Sequence, residues 1–212
     1  MRSSTYLAFL VASLVLALIP GPGVIYIVTQ TLHGGRRAGL ASIGGIALGN
    51  FGNASLASVG LAAVIAASTR AFVFVKIAGA AYLILLGIKA LRRRPQTPQA
   101  GIREPARETG TRLFRDGFLV ALLNPKTALF FAALLPQFID TSGSSLAQSL
   151  GLGLTFVAIA VCTDTLYALS AAKLAATLRQ RSQWSSYWRY VSAAAFIGLG
   201  LYAACASPRA AR

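Results

Sequence analysis

The sequence predicts an all-α polytopic membrane protein of six transmembrane helices, set out as two inverted three-helix repeats with broken helices at the centre. Three observations carry this expectation. First, the 212-residue chain is 56% hydrophobic and only 12% charged, about half the charged share of a soluble protein, with a mean hydropathy of +0.65. Second, its charges are clumped. None lies between Ser3 and Gly35 or between Ala38 and Thr69, and each of these stretches exceeds the roughly 20 apolar residues that cross a bilayer core. Third, one charged, proline-bearing stretch at 92–116 divides the apolar segments into two groups of three. A globular cytosolic fold, a disordered tail and a disulfide-rich secreted module are all excluded by this pattern.

The apolar segments fall at 6–30, 40–68, 71–91, 117–139, 147–172 and 188–207. They are continuous runs rich in Leu, Ala, Val, Ile and Gly, unlike the ten-residue alternating strands of an outer-membrane barrel. The first follows Arg2 much as the apolar core of a signal peptide would. It ends, however, in Pro20-Gly21-Pro22-Gly23 rather than a small-residue cleavage site, so it reads as a retained span. With three spans per half, related halves must be related by inversion, the plan of many secondary transporters. A short internal match supports this, between Ala17-Leu18-Ile19-Pro20-Gly21-Pro22 and Ala121-Leu122-Leu123-Asn124-Pro125. The expected units are a first repeat at 1–91, a basic linker at 92–116 and a second repeat at 117–212, together forming one transmembrane domain.

A net charge of +15 first suggests nucleic acid, but its distribution argues otherwise. Thirteen of the 20 basic residues fall on one face of the six-span arrangement: Arg36 and Arg37, seven arginines of the linker, then Lys173, Arg179, Arg181 and Arg189. The positive-inside rule puts that face in the cytoplasm and both termini outside. The linker has no interleaved aromatics and no nucleic-acid-binding module, so the charge reads as orientation and contact with anionic headgroups.

Four groups of residues are candidates for function. Pro20 and Pro22 break the first span, and irregular backbone at membrane depth survives only when buried in protein or lining a wet cavity. The restarted helix offers free N–H groups near Gly21 and Gly23, suited to a carboxylate. Asn124-Pro125-Lys126 marks a second helix start, with Asn124 as N-cap, Pro125 as a second break and free N–H groups near Lys126 and Thr127. The Lys126 side chain is expected to snorkel toward the cytoplasmic interface. Asp164 is the single charge within 151–172. An ionised carboxylate at a helix centre costs about 2.5–3.5 kcal/mol, so it needs a partner or a cavity and would meet a substrate ammonium or a proton. Asn50 and Asn53 share one helical face and offer neutral hydrogen bonds, beside a Gly45/Gly49 face for close helix packing. Each has a structural alternative: a packed kink, an ordinary cap, an ion pair between Asp164 and Lys126, or polar glue between helices. His33 has no His, Cys or carboxylate near it in the sequence, which disfavours metal ligation or general-base work, and Cys162 and Cys205 read as small hydrophobes.

Taken in order, several fragments resemble the LysE/RhtB family of bacterial amino-acid exporters over nearly the whole chain. They are Pro20-Gly21-Pro22-Gly23, Gly79-Ala80-Ala81-Tyr82-Leu83 with Gly87, Asn124-Pro125-Lys126, Leu135-Pro136-Gln137-Phe138, and Asp164 with Tyr167. The resemblance implies export of amino acids or their derivatives across the bacterial cytoplasmic (inner) membrane, driven by the proton-motive force, by a homodimer. One departure stands out: members of the family often carry an acidic residue in the second span where this chain has Asn50. That leaves Asp164 as the one carboxylate expected well inside a span, and weakens any preference for lysine or arginine. The expected substrate site joins Gly21, Gly23, Asn50, Asn53, Asn124, Lys126, Thr127 and Asp164, with Asp164 also coupling protons. Neither a cofactor nor a metal is expected, since there are few thiols, one histidine and no phosphate-binding loop. Other readings are an exporter of another small solute or cation, and a scaffold or sensor that moves nothing and has a dry interior. An enzyme is disfavoured because no nucleophile–base pair is present.

Overall fold

The computed structural model describes residues 3–59, 69–92, 108–140, 143–178, 190–191, 193–198, 201 and 204. The linker stretch 93–107, the end of the second expected span at 60–68 and part of the sixth, with Cys205, lie outside the described residues. Among those described, every regular element is helical: α1 (Ser3–Leu18), α2 (Pro22–Ser58), α3 (Thr69–Arg92), α4 (Gly110–Leu122), α5 (Pro125–Leu134), a 3-10 turn (Leu135–Phe138) and α6 (Ser145–Leu178). Within α6, Ser145–Ala175 is long and apolar enough to cross a bilayer alone, and α1 with α2 meets the same test as a broken span.

The break between α1 and α2 follows from its prolines. Pro20 has no N–H to extend α1 and disfavours helical backbone at Ile19. Gly21 is extended (φ −131°, ψ −169°), and Pro22 opens α2 at a position where a missing N–H costs nothing. The second break is built alike: α4 ends at Leu122, Asn124 is extended and caps the Lys126 N–H at 3.0 Å, and Pro125 opens α5.

α2 corrects one expectation. A loop was expected near 31–39, but the chain reverses on Gly35 alone, whose φ of 73° side chains rarely adopt. Residues far apart along the helix therefore touch. A Cβ on Gly23 would lie 3.3 Å from Ile46, and one on Gly39 would collide with Thr31, a pair about 12 Å apart on a straight helix. The arms 22–34 and 36–58 thus run antiparallel, with Arg36 and Arg37 near the turn.

α4 begins at Gly110, so the last residues of the expected linker are helical. Beyond Pro105 nothing interrupts a helix there, and Glu108, Arg112 and Asp116 form an i,i+4 ladder at 3.8 and 3.9 Å. α4 packs backbone to backbone on the second arm of α2. A Cβ on Gly45 would strike the Phe114 carbonyl, one on Gly49 the Phe118 carbonyl, and one on Gly117 the Ser42 carbonyl. This is the close approach that the Gly45/Gly49 face predicts. Two apolar cores flank the junction. One joins Tyr26, Ile43, Ile46, Leu83, Leu86, Val120 and Phe196. The other gathers Phe9, Ala54, Phe130, Phe131, Leu152 and Phe156, with the Phe131 and Phe156 rings edge-on at 5.0 Å.

Candidate functional site

Several buried hydroxyls in these helices are already satisfied. Thr31, Ser42, Ser149 and Thr163 each donate to a carbonyl three or four residues back on their own helix, which uses their one donor. Groups without such a partner are more informative, and three of them meet in one place.

That place is a cavity of about 50 Å³ between the two helix breaks, room for about four water molecules. Its wall includes Gly21, Gly23 and Val24 at the start of α2, and Asn124, Lys126 and Thr127 at the start of α5. Two positive helix ends therefore converge on it. Asn50 enters from the second arm of α2 and Asp164 from α6, while Ile46, Phe156 and Ala160 supply apolar wall. Asn50, Thr127 and Asp164 are 6%, 5% and 6% exposed, and among the described residues none of their side chains hydrogen-bonds to the protein. Burial of a carboxylate without a hydrogen-bond partner is costly; the Lys126 ammonium in the same wall offsets part of that cost, and the lone pairs of Asp164 remain open to whatever fills the cavity.

Seven of the eight residues expected in a substrate site thus line one cavity. Asn53 does not. Its side-chain amide donates to the Ala121 carbonyl at 2.9 Å, near the C-terminal end of α4, a carbonyl that also accepts the Asn124 N–H at 3.1 Å. Lys126 also departs from expectation. Instead of snorkelling away, its ammonium donates to the carbonyls of Leu16 at 2.9 Å and Ile19 at 2.6 Å. A cation at the negative end of α1 is favourable, and these bonds outcompete the interface. Lys126 and Asp164 face the same cavity and attract one another electrostatically, but no ion pair within 4.0 Å joins them among the described residues.

Two features escaped sequence reasoning. The Tyr167 hydroxyl donates to the Leu18 carbonyl at 2.9 Å, a second cap on α1. The resemblance marks Tyr167 beside Asp164, but nothing in the sequence assigns its hydroxyl a partner. The other is Asp116, expected in a loop yet 4% exposed, held by Arg115 at 3.2 Å and Arg112 at 3.9 Å. Among the described residues no cluster of three or more His, Cys, Asp or Glu could hold a metal ion.

The sequence as a whole matches the family described as LysE type translocator, over residues 14–207. This chain belongs to that family. Within it, the chain is 37% identical over 178 residues to a homoserine/homoserine lactone efflux protein of Salmonella typhimurium, covering 84% of this chain and 85% of the relative. It is 36% identical to an uncharacterized membrane protein of Vibrio cholerae, over 82% and 84% of the two chains. It is 26% identical to a leucine efflux protein of Klebsiella pneumoniae, over 91% of each. No solved structure matches. Membership of the translocator family makes this chain a membrane protein, and its cavity a transport site to be tested.

Proposed function

We propose that this LysE type translocator is a secondary exporter that moves amino acids or their derivatives out of the cytoplasm, driven by the proton-motive force. The observation that carries the reading is the Asp164 carboxylate, buried with no hydrogen-bond partner among the described residues, in a cavity faced by two helix N-termini. A zwitterion matches that arrangement. Its carboxylate meets the N–H groups around Gly21 and Gly23 and those around Lys126 and Thr127, while its ammonium, or a proton in its absence, meets Asp164. Asn50 adds a neutral hydrogen bond, and Asn53 leaves the substrate-binding set. The relatives named for homoserine and leucine efflux make small neutral amino acids the first substrates to try. A scaffold or sensor has no need of two broken helices around a polar cavity.

In this proposal the chain crosses the bacterial inner membrane six times as two inverted halves, with both termini outside and the arginine-rich face on anionic headgroups. Rocking of the halves alternates access, and the working unit is a homodimer. The test uses purified protein in liposomes loaded with radiolabelled L-leucine or L-homoserine. Release faster than from protein-free liposomes, and accelerated by an acid-outside pH gradient, is expected. Release of neither amino acid would remove the exporter reading for these substrates, and release indifferent to the gradient would remove the proton drive.

A further inference from the structure

Pro20 and Pro22 do more than end one helix and open the next. Each lacks the backbone N–H that would have reached a carbonyl four residues earlier, that of Leu16 for Pro20 and of Leu18 for Pro22. Among the described residues no backbone N–H donates to the carbonyls of Leu16, Leu18 or Ile19. Side chains from the second half of the chain meet all three. The Tyr167 hydroxyl donates to Leu18, and the Lys126 ammonium donates to Leu16 at 2.9 Å and Ile19 at 2.6 Å. The ammonium also lies against the start of α2, since a Cβ on Gly21 would be 3.7 Å from its Nζ. The negative end of α1 is therefore a niche for an N–H cation, of the kind that broken membrane helices offer to transported cations. A tethered ammonium already fills it.

Charge counting gives this a consequence. Leu16 and Ile19 belong to the cavity wall, and among the wall residues Lys126 and Asp164 alone are ionisable, one of each sign. A zwitterionic amino acid brings one charge of each sign as well, and its ammonium uses the one carboxylate. A second ammonium, on a substrate side chain, finds no acid left, and the niche that could hold it contains a like charge. We propose that Lys126 is the specificity-determining residue of this site: a built-in cation that fills the ammonium niche at the end of α1 and thereby excludes amino acids with cationic side chains. The inference rests on the amino-acid reading of the cavity and adds the residue that sets its selectivity. Removing the Lys126 side chain reverses both halves of the effect. The repulsion disappears, and two carbonyls are left without partners, which a substrate ammonium can satisfy.

The experiment measures equilibrium binding to full-length protein purified in detergent, so neither membrane orientation nor transport enters. L-ornithine and L-norleucine have side chains of equal length, ending in an ammonium and a methyl group, and L-lysine extends the cationic reach by one carbon. The parent is expected to bind L-norleucine about a hundredfold more tightly than either cationic amino acid, the scale of repulsion between like charges in a partly desolvated site. Lys126→Arg keeps the charge and should hold that preference within about threefold. Lys126→Ala is expected to bind L-ornithine or L-lysine at least as tightly as L-norleucine. Lys126→Gln, neutral but still an N–H donor, should cut the preference to about tenfold, and it carries the test should the alanine variant fail to fold. If Lys126→Ala weakens all three ligands alike and keeps the parent's preference, Lys126 is only a cap on α1 and the proposal is overturned. A parent that binds L-ornithine as well as L-norleucine would overturn it too. Altered preference in the variants, with no release of leucine or homoserine from liposomes by the parent, would leave the selectivity site standing and remove export of those substrates. Release by the parent with an unaltered preference in the variants would do the opposite.

Discussion

Asp116 and Asp164 are both buried, at 4% and 6% exposure, yet their surroundings have little in common. Asp116 sits on α4 with guanidinium groups of Arg115 and Arg112 within 4.0 Å, and its charge is spent inside the protein. Asp164 sits on α6 with no hydrogen-bond partner among the described residues and a cavity in front of it. Burial alone therefore does not single out Asp164; the proposal rests on its unspent hydrogen-bonding capacity beside a space. The same contrast separates Asn50 from Asn53, which share a helical face but not their surroundings.

The comparison can be broken from either side. Giving Asp164 a permanent partner makes it resemble Asp116. Asn50→Arg places a fixed cation in the cavity wall, and gradient-driven release from liposomes is expected to fall about a hundredfold while the protein still folds. Conversely, Arg112→Ala with Arg115→Ala strips Asp116 of its partners. Both arginines are substantially exposed, at 43% and 65%, so solvent already screens the pairs. A loss of about 1 kcal/mol in detergent thermal unfolding is expected, with release rates within about twofold of the parent. Thr127→Val removes a cavity hydroxyl but keeps the backbone N–H. Apparent affinity for substrate in the liposome assay should weaken by about three- to tenfold.

Much of this arrangement was legible in the sequence, and the parts that were not have identifiable physical reasons. The breaks at Pro20–Pro22 and Pro125 and the cap on Asn124 follow from proline chemistry, which acts locally. Asp164 stood out because a lone carboxylate in an apolar run must find a partner or a cavity, and the Gly45/Gly49 face told correctly of close packing. By contrast, spacing assigns Asn53 to a face but cannot say that the Ala121 carbonyl waits opposite. Lys126 and Tyr167 were misjudged or missed for the same reason. Their partners are backbone carbonyls more than a hundred residues away, and every residue has a carbonyl. The reversal at Gly35 hid in a polar stretch that reads as a loop. Asp116 hid among arginines, where an acid reads as solvated until α4 packs onto α2.

The most direct test of the central claim is paired. Asp164→Asn and Asp116→Asn are reconstituted at equal protein content in liposomes loaded with an amino acid that the parent exports, and release under an acid-outside gradient is measured. Asp164→Asn is expected to lose gradient-driven release while Asp116→Asn stays within about twofold of the parent, since its carboxylate is spent on arginines. Unchanged release from Asp164→Asn, or equal loss in the two variants, would contradict the assignment of Asp164 to transport.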